Sequence, residues 1–276
     1  SVSSLIKGTT IQSANDAAIT LAEAIGNGSI DEFVKQMNEE AKRLGMKHTH
    51  FNNPTGISSN GHVSTVGDLA ILAAALINDY PKYYPLFANK SFKYNNIEQP
   101  NRNLLLYRDS SIDGLKTGYS EGAGYHLAAS SKRNNRRIVS ILAGAESTEA
   151  RASESSKLLN WALQAFDTPK LYNGGEVISQ VKVYKGSTKA VDIGFLDDVY
   201  ITIPHDTGKN VKPILETLQP VLAPIEKGQV LGKLKVMKDG KVIAEKDVVA
   251  LTGVEEGSWL RRMWDAIVLW FKGLFS

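Results

Sequence analysis

The chain contains no cysteine, which removes disulfides, thiolate nucleophiles and cysteine-ligated metals together. That absence is compatible with an oxidising compartment but does not define one. No stretch reaches the ~18 consecutive apolar residues a spanning helix requires, so no segment is expected to cross a membrane. Ser1 to Gly8 lack a long apolar core behind a basic start, so they do not read as a signal peptide; the chain is cytosolic, already processed or incomplete. Excess charge is also scarce. A formal net charge of +3, with no basic run interleaved with aromatics, is too small to argue for nucleic acid, and no such partner is expected. His48 and His50 alternate as two ligands on one strand face could, but no third ligand follows at a recognisable spacing, and no zinc site is expected. There is no internal repeat and no low-complexity linker.

What is present divides by period. With 276 residues, 42% of them hydrophobic, the chain can bury one large core, or one large and one small. Ser1 to Lys7 reads as the end of a helix closed by Gly8. A second helix starts at Ser13-Ala14-Asn15-Asp16, with Asn15 or Ser13 as its cap, and runs to Ile25. Ser29-Ile30-Asp31-Glu32 is a capping box for a third, whose apolar face ends at Gly45. A loop of turn formers, His50 to Gly56, leads to a helix capped by Thr65 and stopped by Pro81. After Pro85 strand-like runs are expected at Ser91–Tyr94, Leu104–Tyr107 and Ile112–Thr117. Tyr125–Ser131 and Arg137–Ala143 form a hairpin through Asn134-Asn135, and a long helix covers Thr148–Phe166. The expected fold class is α/β: helices around a central antiparallel sheet in 1–169, a small all-β domain in 170–254, and a terminal amphipathic helix in 255–276. In the β domain, strands are expected at Val177–Tyr184, Val199–Ile203, Gln229–Val236 and Val242–Val249, the last two joined by an Asp239-Gly240 turn.

The terminal segment carries three of the four tryptophans, Trp259, Trp264 and Trp270. Leu260, Met263, Trp264, Ile267, Phe271, Leu274 and Phe275 share one helical face; Arg261, Arg262, Asp265 and Lys272 lie opposite, with Leu269 as a misfit. A terminal helix docked on the β domain is one reading. An anchor lying in the plane of a membrane is the preferred one, because indoles and basic residues suit the headgroup region.

Two motifs carry the chemistry: Ser13-Ala14-Asn15 near the start, and Asp113-Gly114-Leu115-Lys116-Thr117-Gly118-Tyr119. An apolar approach, a lysine, a small hydroxyl residue and a glycine suit an exposed strand edge that holds an acyl substrate. Each triplet alone is a weak signal. Their order, with Ser-x-Asn before Lys-Thr-Gly, is that of one group of serine acyl-transferring enzymes. Acyl transfer by serine needs a nucleophile, a base for its proton and donors for the oxyanion.

Taken with Asn52-Asn53-Pro54-Thr55-Gly56, Gly61-His62-Val63-Ser64-Thr65 and Asn101-Arg102-Asn103, the chain resembles the low-molecular-mass penicillin-binding proteins. These are serine D-alanyl-D-alanine carboxypeptidases, and the resemblance covers nearly the whole length. It implies a penicillin-binding/β-lactamase-like fold and a metal-free, cofactor-free removal of the terminal D-alanine from peptidoglycan pentapeptide through an acyl-enzyme, with β-lactams as acylating agents. By the same resemblance, Ser13 relays a proton between the catalytic lysine and the leaving amine, and Asn15 binds the substrate amide carbonyl. Lys116 places positive charge beside Ser13, Thr117 contacts the terminal carboxylate of the peptide or of a β-lactam, Gly118 is also substrate-binding, and the Tyr119 N–H is one oxyanion donor. Histidine often stands where this chain has Tyr119. Arg151 looks like the family's carboxylate-binding arginine and Arg102 assists, surface salt bridges being the alternative for each.

The family's Ser-x-x-Lys, nucleophile and general base, lies several tens of residues before Ser-x-Asn. Ser4-Leu5-Ile6-Lys7 and Ser179-Gln180-Val181-Lys182 match only by chance. An N-terminal segment of the same protein, carrying the pair and the first strands of the sheet, is therefore expected as a partner. The implied location is the periplasmic face of the cytoplasmic membrane, with residues 258–276 on the membrane surface. Two alternatives are a β-lactamase, against which the β domain, the tail and the missing Glu-x-x-Leu-Asn all count, and a non-catalytic membrane-associated module that binds cell-wall peptides or β-lactams.

Overall fold

A computed structural model describes residues 1–134, 136–205 and 211–273. The chain forms two compact units, Ser1–Leu163 and Gln164–Ser276.

The first unit opens with helix α1 (Val2–Lys7), α2 (Asn15–Ile25), α3 (Ile30–Arg43) and α4 (Val66–Asp79). The expected caps at Ser29 and Thr65 form: Ser29 Oγ accepts the Glu32 N–H at 3.2 Å and Thr65 Oγ1 accepts the Asp68 N–H at 3.1 Å, each satisfying one of the orphan donors of a first turn. As expected, α1 ends at Lys7 with Gly8 as its C-cap, and the chain winds on as a π-turn over Gly8–Gln12. Gly8 has right-handed dihedrals and is buried, a Cβ there lying 3.4 Å from that of Ala17. It caps the helix without the left-handed conformation that a C-terminal glycine commonly adopts. The cap of α2 is corrected: the N-cap is Ala14, with no side-chain cap bond.

A two-residue turn through Asn95 and Asn96, both at positive φ, joins strands β1 (Ser91–Tyr94) and β2 (Ile97–Pro100). Asparagine tolerates that region, which a two-residue hairpin requires. Leu104–Tyr107 is not a strand. It overlaps a short helix, α5 (Leu105–Arg108), because Asn101 and Asn103 bend the chain first. Asn101 Oδ1 accepts the Asn103 N–H at 2.9 Å and Asn103 Oδ1 accepts the Leu105 N–H at 3.1 Å, local bonds that compete with a strand ladder.

The central sheet has the order β3-β4-β5, formed by Ile112–Ser120, Gly124–Arg133 and Arg136–Ala145, antiparallel throughout. Asn134 has φ of 49°; Asn135, the other half of the expected turn, lies outside the described residues. Helix α6 (Thr148–Ala165) packs on one face, where Leu105, Leu106, Ile112, Leu127, Ala129, Ala152 and Leu159 form a core. On the other face Ala73 of α4, Tyr84 and Leu115 form a second core with Leu76, Phe87 and Ile141. Helices thus sandwich an antiparallel sheet.

The second unit is a β domain. Its short strands are β6 (Phe166–Asp167), β7 (Lys170–Tyr172), β10 (Val199–Tyr200), β11 (Ile203–Pro204) and β13 (Val221–Leu222). The longer ones are β8 (Val177–Tyr184), β9 (Ala190–Gly194), β12 (Val211–Thr217), β14 (Val230–Lys238) and β15 (Lys241–Ala250). Six of them form a sheet of order β12-β14-β15-β9-β8-β13. The expected run Val199–Ile203 is split between two small ladders, β10-β7 and β11-β6. Asp239 and Gly240 do make the expected turn, at φ of 49° and 77°. Strand β12 was not anticipated. It contains Pro213, registered with Val236, and its side chains are mostly exposed, both of which an edge strand tolerates and a sequence pattern conceals. The core is Val181, Val183, Val191, Ile193, Leu231, Leu234, Val248 and their neighbours. Helix α7 (Trp259–Gly273) ends the described chain; Leu274 and Phe275 lie outside it.

Candidate active site

Among the described residues strand β3 is an edge of its sheet, and the Lys116-Thr117-Gly118 segment sits on it. Strand alternation puts Lys116 and Gly118 on one face and Thr117 on the other, and Thr117 is buried. Across β4, Gly118 is registered with His126 and Lys116 with Ala128.

Ser13 reaches this face from 103 residues away. The π-turn ends in Ser13 with φ 58° and ψ 39°, a left-handed conformation uncommon outside glycine. It breaks the winding between the turn and α2 and leaves the hydroxyl facing Lys116, whose Nζ donates to Ser13 Oγ and, at 2.8 Å, to Thr117 O. The serine is therefore bound to the lysine instead of capping a helix. Asn15, two residues on, is exposed.

The lysine's surroundings are cationic. Burial, followed by the charges of Arg102 and Arg151, lowers its pKa to about 8. Arg151 is itself buried, and burial holds its guanidinium below the usual arginine range. Its Nη1 donates to Gly118 O at 3.2 Å and its Nη2 to Arg102 O at 3.0 Å, and it lies 5.6 Å over the Tyr125 ring. Among the described residues neither Arg102 nor Arg151 forms an ion pair, so the surface salt-bridge alternative is not what the structure contains. Tyr119 is exposed, its ring 4.4 Å from that of Tyr125. All eight sequence-identified residues thus belong to the first unit: Ser13 and Lys116 touch, and Arg151 ties Gly118 to Arg102.

Several supporting residues carried no sequence-level role. Buried Asn103 donates from Nδ2 to Gly114 O at 3.1 Å, while Asn101 Nδ2 donates to Asn89 O at 3.0 Å, so the Asn-Arg-Asn turn braces β3 from beside it. Arg137 makes a bidentate pair with Asp113 at 2.7 and 2.7 Å, and its Nη1 donates to the buried Ser130 hydroxyl at 2.6 Å. Tyr84 lies under that guanidinium, and burial pushes its phenol up to about 12. His126 Nδ1 accepts the Gly144 N–H at 3.1 Å, and burial followed by Arg151 lowers its pKa, favouring neutral imidazole. The paired asparagines were the only signal available; the Asp113–Arg137 pair spans two strands and has no local signature.

The two chance Ser-x-x-Lys matches are structural. Ser4 Oγ lies 3.1 Å from Ser1 Oγ at the start of α1. Ser179 and Lys182 lie three apart on a strand, where odd spacing sends side chains to opposite faces, and Lys182 sits 4.8 Å over the Tyr184 ring.

The family model for D-alanyl-D-alanine carboxypeptidase matches residues 1–147, and the model for the penicillin-binding protein 5 C-terminal domain matches residues 166–256. The D-alanyl-D-alanine carboxypeptidase DacA of Haemophilus influenzae is 39% identical over 279 residues, covering 100% of this chain and 71% of the relative. The crystal structure of penicillin binding protein 5 from the same organism superposes with a TM-score of 0.82 at 38% identity, over 93% of this chain and 75% of that one. Penicillin-binding protein D2 of Listeria monocytogenes, in its cefotaxime-bound form, matches with a TM-score of 0.54 at 34% identity, over 58% of this chain and 65% of that one. The chain belongs to the D-alanyl-D-alanine carboxypeptidase family of penicillin-binding proteins.

Proposed function

We propose that this chain is the larger part of a serine D-alanyl-D-alanine carboxypeptidase, which releases the terminal D-alanine of peptidoglycan pentapeptide through an acyl-enzyme. The observation that carries this reading is the bond from Lys116 Nζ to Ser13 Oγ on the open edge of β3. A lysine ammonium beside a serine hydroxyl is suited to hold that hydroxyl for passing a proton to a leaving amine. The free strand edge is suited to an extended peptide, which adds to a sheet by main-chain hydrogen bonds. Gly118 fits the same use. A Cβ there would make only ordinary 3.5 Å contacts with His126, so the chain's own packing does not require glycine, and the open face is left for a substrate.

Asn15 takes the substrate amide carbonyl, and Thr117 with Gly118 the terminal carboxylate. The Tyr119 N–H serves as an oxyanion donor. Lys116, Arg102 and Arg151 supply a positive field for the carboxylate of a peptide or a β-lactam, Arg151 acting largely by holding Gly118 and Arg102 in place. The Listeria relative in its cefotaxime-bound form supports the β-lactam part. The nucleophile and its base come from a Ser-x-x-Lys outside these 276 residues, since Ser4 Oγ is held against Ser1 Oγ and Ser179 and Lys182 project to opposite faces of a strand. Helix α7 places the enzyme on the periplasmic face of the cytoplasmic membrane.

Intact mass before and after excess penicillin tests this assignment. The adduct is expected only on a chain or fragment that carries the Ser-x-x-Lys, and such material is expected to release D-alanine from a D-Ala-D-Ala peptide. An adduct on the 276-residue chain itself would place the nucleophile within it, with Ser4 the first suspect. Penicillin binding without D-alanine release would favour a non-catalytic module.

A further inference from the structure

Helix α7 has two faces with separate occupations. Leu260, Met263, Trp264, Ile267, Trp270 and Phe271 are all exposed on one arc, together with Trp259 at the first turn. The opposite face is used by the β domain itself. Arg261 donates to Ser187 O at 3.2 Å and Thr188 O at 2.7 Å. The Asp265 carboxylate accepts the Lys185 N–H at 2.5 Å and lies 4.0 Å from Arg261 Nε. Arg262 pairs with Glu256.

The approach to the helix is equally constrained. Gly257 N–H donates to Lys185 O at 2.8 Å and Ser187 N–H to Glu255 O at 2.7 Å. A Cβ on Gly257 would stand 2.6 Å from Gly186 O, too close for any side chain. The helix is therefore held by its polar face, with its apolar face turned outward. Leu269, a misfit to a simple two-faced pattern, is half-buried rather than exposed.

The charges also cancel. From Glu255 onward the sequence has Glu255, Glu256 and Asp265 against Arg261, Arg262 and Lys272, and both arginines already have protein partners. Each unopposed cation near a bilayer surface favours anionic lipid by about fivefold, so three would favour it by about a hundredfold. That term is missing here. No helix among the described residues is long and apolar enough to cross a bilayer, so the exposed arc can engage only the headgroup and acyl boundary.

We infer that this segment inserts into a lipid bilayer through its tryptophan-bearing face alone, with no preference for anionic headgroups. The inference rests on the reading of α7 as a membrane anchor and specifies which lipids it takes. Its polar face positions the helix on the β domain, and the arginines there are structural contacts rather than headgroup ligands.

Co-sedimentation of the 276-residue chain with phosphatidylcholine vesicles, and with vesicles containing phosphatidylglycerol, separates the two claims. Partition is expected to agree between the two within about twofold and to be insensitive to salt. Trp264→Ala with Trp270→Ala, both on exposed positions, is expected to lower partition about tenfold or more on both vesicles. Arg262→Gln is expected to leave partition unchanged. Binding confined to phosphatidylglycerol vesicles and abolished by salt would overturn the inference while leaving the anchor standing. Binding to neither vesicle would overturn both.

Discussion

Lys116 shows how a site can be held ready at a cost to the fold. Its ammonium is buried beside two guanidinium groups, and the folded pKa falls from 10.5 to about 8. The unfolded chain therefore keeps a proton between those values that the folded chain has shed. Stability attributable to this residue rises with pH through that window, and below about 8 the full penalty applies. Lys116→Met is expected to raise stability at pH 7 by about 1–2 kcal/mol, the gain shrinking towards pH 10.5 as wild-type Lys116 loses its charge in both states. Urea unfolding at several pH values checks this; a gain independent of pH would show that packing, not charge, is responsible. In enzyme completed with its nucleophile, the same variant is expected to lose about 10²–10³-fold in acylation rate. Ser13 shows a related compromise: a left-handed serine is locally unfavourable, and a structure keeps one where its hydroxyl is used.

At the scale of elements, the edge strand β3 is precise because it is braced from its own flank and from below. An edge strand lacks a neighbour on one side, and an unbraced one frays or pairs with another chain. The Asn101-Arg102-Asn103 turn, the Asp113–Arg137 pair and Arg151 act on β3 at Gly114, Asp113 and Gly118 respectively. Asn103→Ala would leave Gly114 O and the Leu105 N–H without their side-chain partner in a buried position. Each unsatisfied buried group costs about 1–3 kcal/mol, so a clear drop in thermal midpoint is expected. Hydrogen exchange is expected to quicken in β3 rather than in the β domain; uniform quickening would argue against a local brace.

For the whole molecule, the two units differ in self-sufficiency. The β domain has its own extended core, from Val181 to Val254. The first unit rests on three strands, with β3 and β5 as its edges among the described residues. Residues 164–257 produced alone are expected to unfold cooperatively in urea, whereas 1–163 alone is expected to show a broad, weak transition by circular dichroism. A sharp transition for 1–163 would show that its sheet needs no further strand.

Local physics reached far into this protein. Periodicity, caps and turn residues are short-range signals, and they marked most helices, the β4-β5 hairpin, β8 and the Asp239-Gly240 turn. The two motifs likewise pointed to Ser13 and Lys116, because their residue types and order resemble those of a known family. Where two local preferences competed, the sequence misled: Leu104–Tyr107 reads as a strand but follows two asparagines that bend it into a helix. Proline and exposure hid β12. Contacts between residues distant in sequence belonged to the tertiary structure alone. Nothing near Arg151 says that it will hold Gly118 and Arg102. Nothing in the tail says that Arg261 and Asp265 will be taken by the turn at 185–188. Such pairings depend on where the chain returns in space, and only the packed cores determine that.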